Sequence, residues 1–243
     1  MNSVAICIVA DRDYKQTRLC IENLIAESNG ANIVLYVTDS SDDSMNEVYL
    51  KKITNCFAPV TENPIKKNYY FKADKNTSKY KSYNEMFKLI DEDFICIFPL
   101  ECYVNKNWVI DLLNVSNSMN GWAGVLSIKT GNDKTILTSV LQGDGDKMMT
   151  ARESENNVIQ GIYFCDKLRI HTFGGFDNSL IGTGYERDEL CFRFRSNGLY
   201  NFYIANQNCV ETDFKNNKTE QGKVLYNESI KSMMKLNVFK KQL

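Results

Sequence analysis

The chain has 243 residues, with 29 Lys and Arg against 30 Asp and Glu and a formal net charge of −1, which removes any global electrostatic case for a nucleic-acid partner. Hydrophobic residues make up 43% and charged residues 24%, the composition of a globular protein. At this length roughly 70–75% of the unfolded surface can be buried, so the chain needs no staples.

The first apolar run, "VAICIVA", is too short for a membrane span and lacks the basic start of a secretory signal. "SVAICIVA" is a continuous β-branched run, the pattern of a strand buried on both faces. Asp11 to Asp13 follow as a polar turn, and "YKQTRLCIENLIAES" then sets Leu19, Ile21, Leu24 and Ile25 at helical spacing until Asn29 and Gly30. "NIVLYVTD" is a second strand, and "DSSDDS" is a cap-rich turn into the helix "MNEVYLKKIT". Strand, helix, strand, helix with short connections predicts a parallel sheet with right-handed crossovers. The basic, aromatic stretch "NPIKKNYYFKADKNTSKYKSYN" reads either as a solvated loop or as a holder of a phosphate-bearing small molecule.

"YKSYNEMFKLID" predicts a third helix, "DFICIFPLE" another buried strand, and "NKNWVIDLLNVSNS" a fourth helix. The second half changes character: "GWAGVLSIKT", "KTILTSVLQG" and "NNVIQGIYFCDKLRI" predict strands or hairpins around glycine-rich turns. "DELCFRFRSNG" predicts a helix with Asp188 as N-cap, Leu190 and Phe194 inward, and Gly198 as its stop. "LYNFYIAN" is a strand, and the last segment is an amphipathic helix. No linker and no internal repeat divides the chain, so one α/β domain is expected.

Eight cysteines occur without a CxxC pair, several of them in apolar strand-like runs, which predicts reduced, buried thiols and a cytoplasmic protein. His171 is the only histidine, which disfavours zinc. Trp108 and Trp122 suit the core better than a sugar platform.

In open parallel sheets ligands sit beyond the carboxyl ends of the strands. Three such ends carry acid here: Asp11 and Asp13, Asp39, and Glu101. Each alone also suits a turn or helix cap. Their joint occurrence with the later turn "GGFDNSLIGTGYERDEL" points instead to a metal, a general base or a hydroxyl-rich ligand.

In that order the motifs resemble the GT-A fold glycosyltransferases, and most of all the inverting family 2, over about Val4 to Asp213. The resemblance rests on "ICIVADRDYKQTRLCIENL", on Asp39 in "YVTDSSDDS", on Asn84 in "SYNEMFKLID", on "PLECYVNKNW", on "GGFD" at Gly174 to Asp177, and on "ERDELCFR". It implies an α/β fold of GT-A type, with a mostly parallel nucleotide-binding sheet flanked by helices and a smaller acceptor-side β region. Residues 1–108 would form the nucleotide-sugar half, 109–222 the acceptor-side half and 223–243 a C-terminal helix of one domain. The implied activity is transfer of a sugar, with inversion, from a UDP-linked donor to a hydroxyl on a glycan, lipid-linked or protein acceptor.

The site residues it implies are Ala10, Asp11, Arg12, Asp39, Lys81 and Asn84 for the nucleotide, and Gly174, Gly175, Asp177 and Arg187 for the acceptor. Either Asp188 or Glu186 would be the base, and Glu101 would hold Mg²⁺ or Mn²⁺. Three departures stand out. The usual Asp-x-Asp reads Pro99-Leu100-Glu101, the usual base aligns with Arg187, and the late histidine is missing from "NCVETDF". Lys79, Lys81 and Arg187 are therefore candidates to supplement or replace a metal's charge. A non-catalytic nucleotide-sugar or glycan-binding module is the alternative. A generic dinucleotide-binding protein is disfavoured because no GxGxxG follows the first strand. In "GKVLYNESIKSMMKLNVFKKQL", an apolar side built on Val224, Leu225, Ile230 and Met233 faces a basic side with Lys223, Lys231, Lys235, Lys240 and Lys241. It suits docking on the domain, or peripheral contact with an anionic membrane.

Overall fold

The computed structural model describes residues 2–28, 30–56, 65–74, 77–119, 121–130, 135–142, 148–154, 161–211 and 218–240. Strands β1 (Ser3–Ala10), β2 (Asn32–Asp39), β3 (Ile65–Lys72) and β4 (Phe94–Ile97) lie parallel in the order β3-β2-β1-β4. They are linked by α1 (Tyr14–Glu27), α2 (Ser44–Cys56) and α3 (Lys79–Phe87). Strand side chains alternate between faces. Val4, Ile6 and Ile8 of β1 accordingly pack with Cys20, Ile21 and Leu24 of α1, while Ala5, Cys7 and Val9 pack with Tyr83, Met86 and Phe87 of α3. Both faces are covered, which is why this strand reads as unbroken hydrophobic sequence. The chain leaves β1 toward β2 on one side and returns to it through β4 on the other. The strand order therefore reverses at β1, where a crevice opens at the carboxyl edge.

The second half extends the same sheet. After β5 (Cys102–Tyr103) and α4 (Trp108–Ser118) come β6 (Ala123–Thr130), β7 (Thr135–Gln142), β8 (Met148–Ser154) and β9 (Tyr163–Asp166). Helix α5 (Lys167–Phe173), a 3₁₀ turn at Asn178–Leu180, α6 (Glu186–Ser196), β10 (Tyr200–Glu211) and α7 (Glu220–Lys240) complete the chain. From β4 the order continues β9-β6-β10-β8-β7, with β5 paired to β10. Strand β9 is antiparallel to β4, β10 is parallel to β6, and β7 with β8 forms an antiparallel pair. The first four strands form the expected parallel half, and the sheet as a whole is mixed, flanked by helices in an α/β fold.

Several expectations need correction. "IKKNYYFK", part of the stretch read as a solvated loop or a phosphate holder, is not a loop but β3, paired parallel to β2, with Tyr69 stacked on Tyr36 at 4.6 Å between ring centroids. "IYFCDKLRI" is one strand and then a helix, because the Asp166 carboxylate accepts the Leu168 N–H at 2.7 Å and starts α5. Helix α6 begins at Glu186, not after Asp188. Its N-cap is Tyr185, and Asp188 lies inside the first turn. Leu19 is 46% exposed and Trp122 is 62% exposed, so neither is a core residue. Trp108 is fully buried and donates to the Ser28 hydroxyl at 3.0 Å. Leu190 and Phe194 point inward as predicted.

Cys7, Cys20, Cys96, Cys102, Cys165 and Cys191 are free and buried, while the side chains of Cys56 and Cys209 lie outside the described residues. Among the described residues no helix is long and apolar enough to cross a membrane. Helix α7 docks on the turn before α6. A Cβ on Gly222 would sit 2.4 Å from the Thr183 Cβ, and Tyr226 stacks on Tyr185 at 5.1 Å. Val224 and Met234 remain exposed, and the side chains from Lys235 onward lie outside the described residues.

Candidate functional site

A cavity of about 640 Å³ opens at the carboxyl edge of β1 and β2, walled by residues 11–13, 40–43, 77 and 79. The sheet register places Ala10 beside Asp39, and the Ser40 N–H donates to the Ala10 carbonyl at 3.0 Å, so the two strand-end loops leave side by side. Asn46 locks them together by donating to the Arg12 carbonyl at 2.6 Å and the Ser41 hydroxyl at 3.0 Å. Two wall acids serve the backbone. Asp13 accepts the Gln16 N–H at 2.9 Å, and Asp43 accepts those of Tyr14 at 2.8 Å and Met45 at 2.9 Å. The Tyr14 and Met45 amides hold the Asp43 carboxyl below the usual carboxylate range.

Asp39, the last residue of β2, is fully buried behind Ser40 and Ser41 of the cavity wall and does not itself line the cavity. Its Oδ1 accepts the Ser41 N–H at 3.0 Å and hydroxyl at 2.8 Å. Its Oδ2 accepts the Lys72 ammonium at 2.9 Å and the Tyr70 hydroxyl at 3.3 Å. The Lys72 side chain is 44% exposed, so this one partner can withdraw toward solvent.

The turn after β4 brings Glu101 to the same crevice. Its side chain is only 5% exposed, and Arg12 Nη2 donates to its Oε1 at 2.9 Å. Burial alone would raise the Glu101 carboxyl. The hydrogen bonds from Arg12 and from its own backbone, with the charges of Lys79 and Arg12, leave it lowered. Burial pushes the Asp11 carboxyl up against the opposing charge of Lys79. Burial, together with the charge of Arg187, pulls the Lys79 ammonium down. Asp11, Arg12, Lys79, Glu101 and Arg187 thus share one electrostatic neighbourhood. A hard divalent ion wants several oxygen ligands. Among the described residues no three His, Cys, Asp or Glu side chains gather to supply them. Asp11 and Glu101 share this neighbourhood with Arg12, Lys79 and Arg187, and the adjoining cavity wall adds Asp13, Asp42 and Asp43. Glu101, the expected ligand, is held by Arg12, so the described residues supply no ready-made divalent site.

Beside this neighbourhood stands the start of α6. Glu186 is 1% exposed and Asp188 4% exposed. Glu186 Oε1 accepts the Gly182 N–H at 2.5 Å, where Gly182 holds φ +85°, and Asp188 Oδ2 pairs with the Lys218 ammonium. Glu186 Oε2 and Asp188 Oδ1 are buried with no hydrogen-bond partner among the described residues. Both charges reach Tyr80, the second residue of α3, so these acids lie next to the wall that carries Lys79. The Arg187 guanidinium sits 5.3 Å from the centre of the Tyr163 ring.

The "GGFD" turn is built as a clamp. Asn84 donates to the Phe176 carbonyl and accepts the Phe176 N–H, each at 2.8 Å. Arg193 pairs with Glu189 and donates to the carbonyls of Phe173 at 2.7 Å and Gly175 at 2.9 Å. Gly174 holds φ +88°, and Asp177 caps the 3₁₀ turn through Ser179. Asn84, expected at the nucleotide, is engaged with this turn and does not line the large cavity. Lys81 lines a separate, mostly apolar cavity of about 180 Å³ with Phe71, Met86 and Leu89. Residues the sequence did not single out for the site are Ser40, Thr77, Lys72, Tyr80 and Lys218. Ser40 stood in the cap-rich turn, and Lys72, Thr77 and Tyr80 lay within the basic, aromatic stretch, while nothing local marked Lys218.

Neither a protein-family model nor a curated protein matches the chain by sequence. Solved structures do match it in three dimensions. GalNAc-T7, crystallised with UDP, GalNAc and Mn²⁺, superposes with a TM-score of 0.62 at 11% identity, over 90% of this chain and 45% of that one. The mannosyltransferase PcManGT from Pyrobaculum calidifontis, in complex with GDP-Man and Mn²⁺, gives 0.62 at 11% identity over 87% and 57%. S. aureus TarS 1–349 with UDP-GlcNAc gives 0.59 at 14% identity over 89% and 60%. The chain has the GT-A fold. It spans about half the length of these solved chains.

Proposed function

We propose that the chain is a glycosyltransferase that moves a sugar from a nucleoside diphosphate donor, UDP-linked, to a hydroxyl acceptor with inversion. One observation carries the reading. On a GT-A fold, the cavity at the carboxyl edge of β1 and β2 lies beside buried carboxylates with open acceptor positions at the start of α6. The single-domain division and the cytoplasmic location follow from the same reading, the latter supported by six free, buried thiols.

Asp39 suits recognition of a base N–H such as that of uracil, with the Lys72 ammonium moving aside to release its Oδ2. The acceptor hydroxyl oxygen attacks the anomeric carbon as the bond to the diphosphate breaks. Glu186 Oε2 or Asp188 Oδ1 takes the hydroxyl proton. The cations around Arg12 meet the negative charge that grows on the leaving diphosphate. The Asn84 and Arg193 clamp holds Gly174, Gly175 and Asp177 at a fixed distance from α6 for acceptor contact.

The second reading, a binding module without chemistry, is favoured by the Lys218 pair on Asp188 and by the burial of both acids. Incubation of the purified chain with UDP- and GDP-sugars separates the two. Release of nucleoside diphosphate, slowly to water and faster with added glycan acceptors, supports transfer. Binding without any turnover supports the module, and no binding of any nucleotide sugar sinks both.

A further inference from the structure

The two acids offered as bases are out of reach in this conformation. Glu186 is 1% exposed and Asp188 4%, and the unpartnered Oε2 and Oδ1 are buried with them. A carboxylate oxygen buried without a hydrogen bond is unfavourable, so an acceptor hydroxyl would satisfy it if the cover lifted. The cover is the segment that leads into α7. The Lys218 ammonium pairs with Asp188 Oδ2 and lies 4.8 Å from the centre of the Tyr185 ring, which stacks on Tyr226 of α7. Burial raises the Tyr226 hydroxyl and the Asp188 charge raises it further, so the acid is felt in α7 as well. Thr219 donates its N–H to the Thr183 carbonyl at 3.0 Å, and Gly222 lets the helix close on the same residue. Thr183 belongs to the turn whose Gly182 N–H binds Glu186. This cover is lightly attached. From Glu220 to Met234, Gly222 is the one buried residue. Among the described residues α7 adds no side chain to the buried core, whereas α6 adds Leu190, Cys191 and Phe194. The Lys218 side chain is itself 41% exposed. Segments with few buried apolar contacts open far below the global unfolding free energy, and active-site lids are drawn from them.

We propose that Lys218 and α7 form a latch over Glu186 and Asp188, closed in this structure, whose release opens the two acids to an acceptor hydroxyl. The role of the acids rests on the transferase reading above, and a footprint taken without substrate separates the two. The test labels carboxylates of the whole chain with a water-soluble carbodiimide and glycinamide, and locates the labels by mass spectrometry. In the parent, Glu186 and Asp188 should label at least about tenfold more slowly than the surface residues Glu22 and Glu85. Tyr226→Ala removes the stack and Gly222→Ala forces the helix off Thr183, and both leave the acids themselves unaltered. Each should raise labelling of both acids at least about tenfold, with Glu22 and Glu85 unchanged and thermal melts showing a folded core. Amide exchange of the parent needs no variant: α7 should exchange at least about tenfold faster than the Leu190–Phe194 segment of α6. Release of nucleoside diphosphate from a UDP-sugar should rise in the same variants. Raised labelling with no release from any nucleotide sugar, in parent or variants, would uphold the latch and overturn the transferase reading. Four results would overturn the latch: parent acids that label as fast as the surface glutamates, unchanged labelling in the folded variants, α7 amides as protected as those of α6, or release that falls while labelling rises.

Discussion

Gly175→Ala probes whether the clamp on the "GGFD" turn is as tight as its geometry says. The backbone at Gly175 has no left-handed φ, so alanine meets no conformational objection there, and only space is at issue. A Cβ built on it lies 2.4 Å from Asn84 Oδ1 and 3.0 Å from Phe87 Cδ2. Asn84 is not a loose side-chain end, since it makes both 2.8 Å hydrogen bonds to Phe176, whose ring packs on Tyr80 at 4.8 Å between centroids. Overpacking costs about 1–3 kcal/mol, and each displaced hydrogen bond about 1 kcal/mol. The stiffer unfolded chain returns about 0.4–1 kcal/mol. The net expectation is a loss of about 2–3 kcal/mol, read as a lower urea midpoint at unchanged slope. The decisive measurement repeats the substitution in an Asn84→Ala background, where the oxygen that clashes is gone. There Gly175→Ala should cost at least about 1 kcal/mol less, within the range of coupling energies between contacting residues. Equal costs in both backgrounds, or a cost below about 0.5 kcal/mol in the parent, would refute the clamp.

Glu186→Gln and Asp188→Asn keep shape while removing charge, and loss of the base should lower transfer by about 10²–10⁴-fold with donor binding intact. If neither reduces turnover, the start of α6 is not the base. Asp39→Ala should weaken nucleoside diphosphate binding by about 1–3 kcal/mol, the scale of a lost charged hydrogen bond, as measured by calorimetry. The Glu101 carboxyl is lowered in the fold, so the unfolded chain binds its proton first as pH falls. Its stabilising share should therefore be full well above the ordinary glutamate value of about 4.3, and lost as pH drops through its lower folded value. Thermal melts of the parent against Arg12→Gln/Glu101→Gln should show the difference shrinking only below about pH 4.3. Gly222→Ala forces a Cβ into Thr183 and should loosen α7, read as faster proteolysis of the C-terminal segment at an intact core. If the parent does not bind anionic vesicles at low salt but the variant does, the helix's free apolar face is what docking conceals.

The alternation of buried strands and amphipathic helices was legible in the sequence because each signal is local. "SVAICIVA", "NIVLYVTD" and "FICI" are continuous apolar runs, and α1, α2 and α4 carry helical spacing and turn residues at their ends. The acids at three strand ends were legible for the same reason, since a parallel sheet must put those ends on one edge. The tertiary structure alone decided what the acids do. Whether Glu101 faces a metal or a guanidinium depends on Arg12, 89 positions away, and Asp39 meets Lys72 only because β3 pairs with β2. Strand β3 itself hid behind lysines and tyrosines that suit an edge strand as well as they suit a loop. Asn84 reads like a nucleotide contact in its helix, yet the Phe176 backbone claims both ends of its amide from 92 residues further on. Hydrogen-bond partners of buried polar groups are set by which elements stack, and no spacing along the chain encodes that.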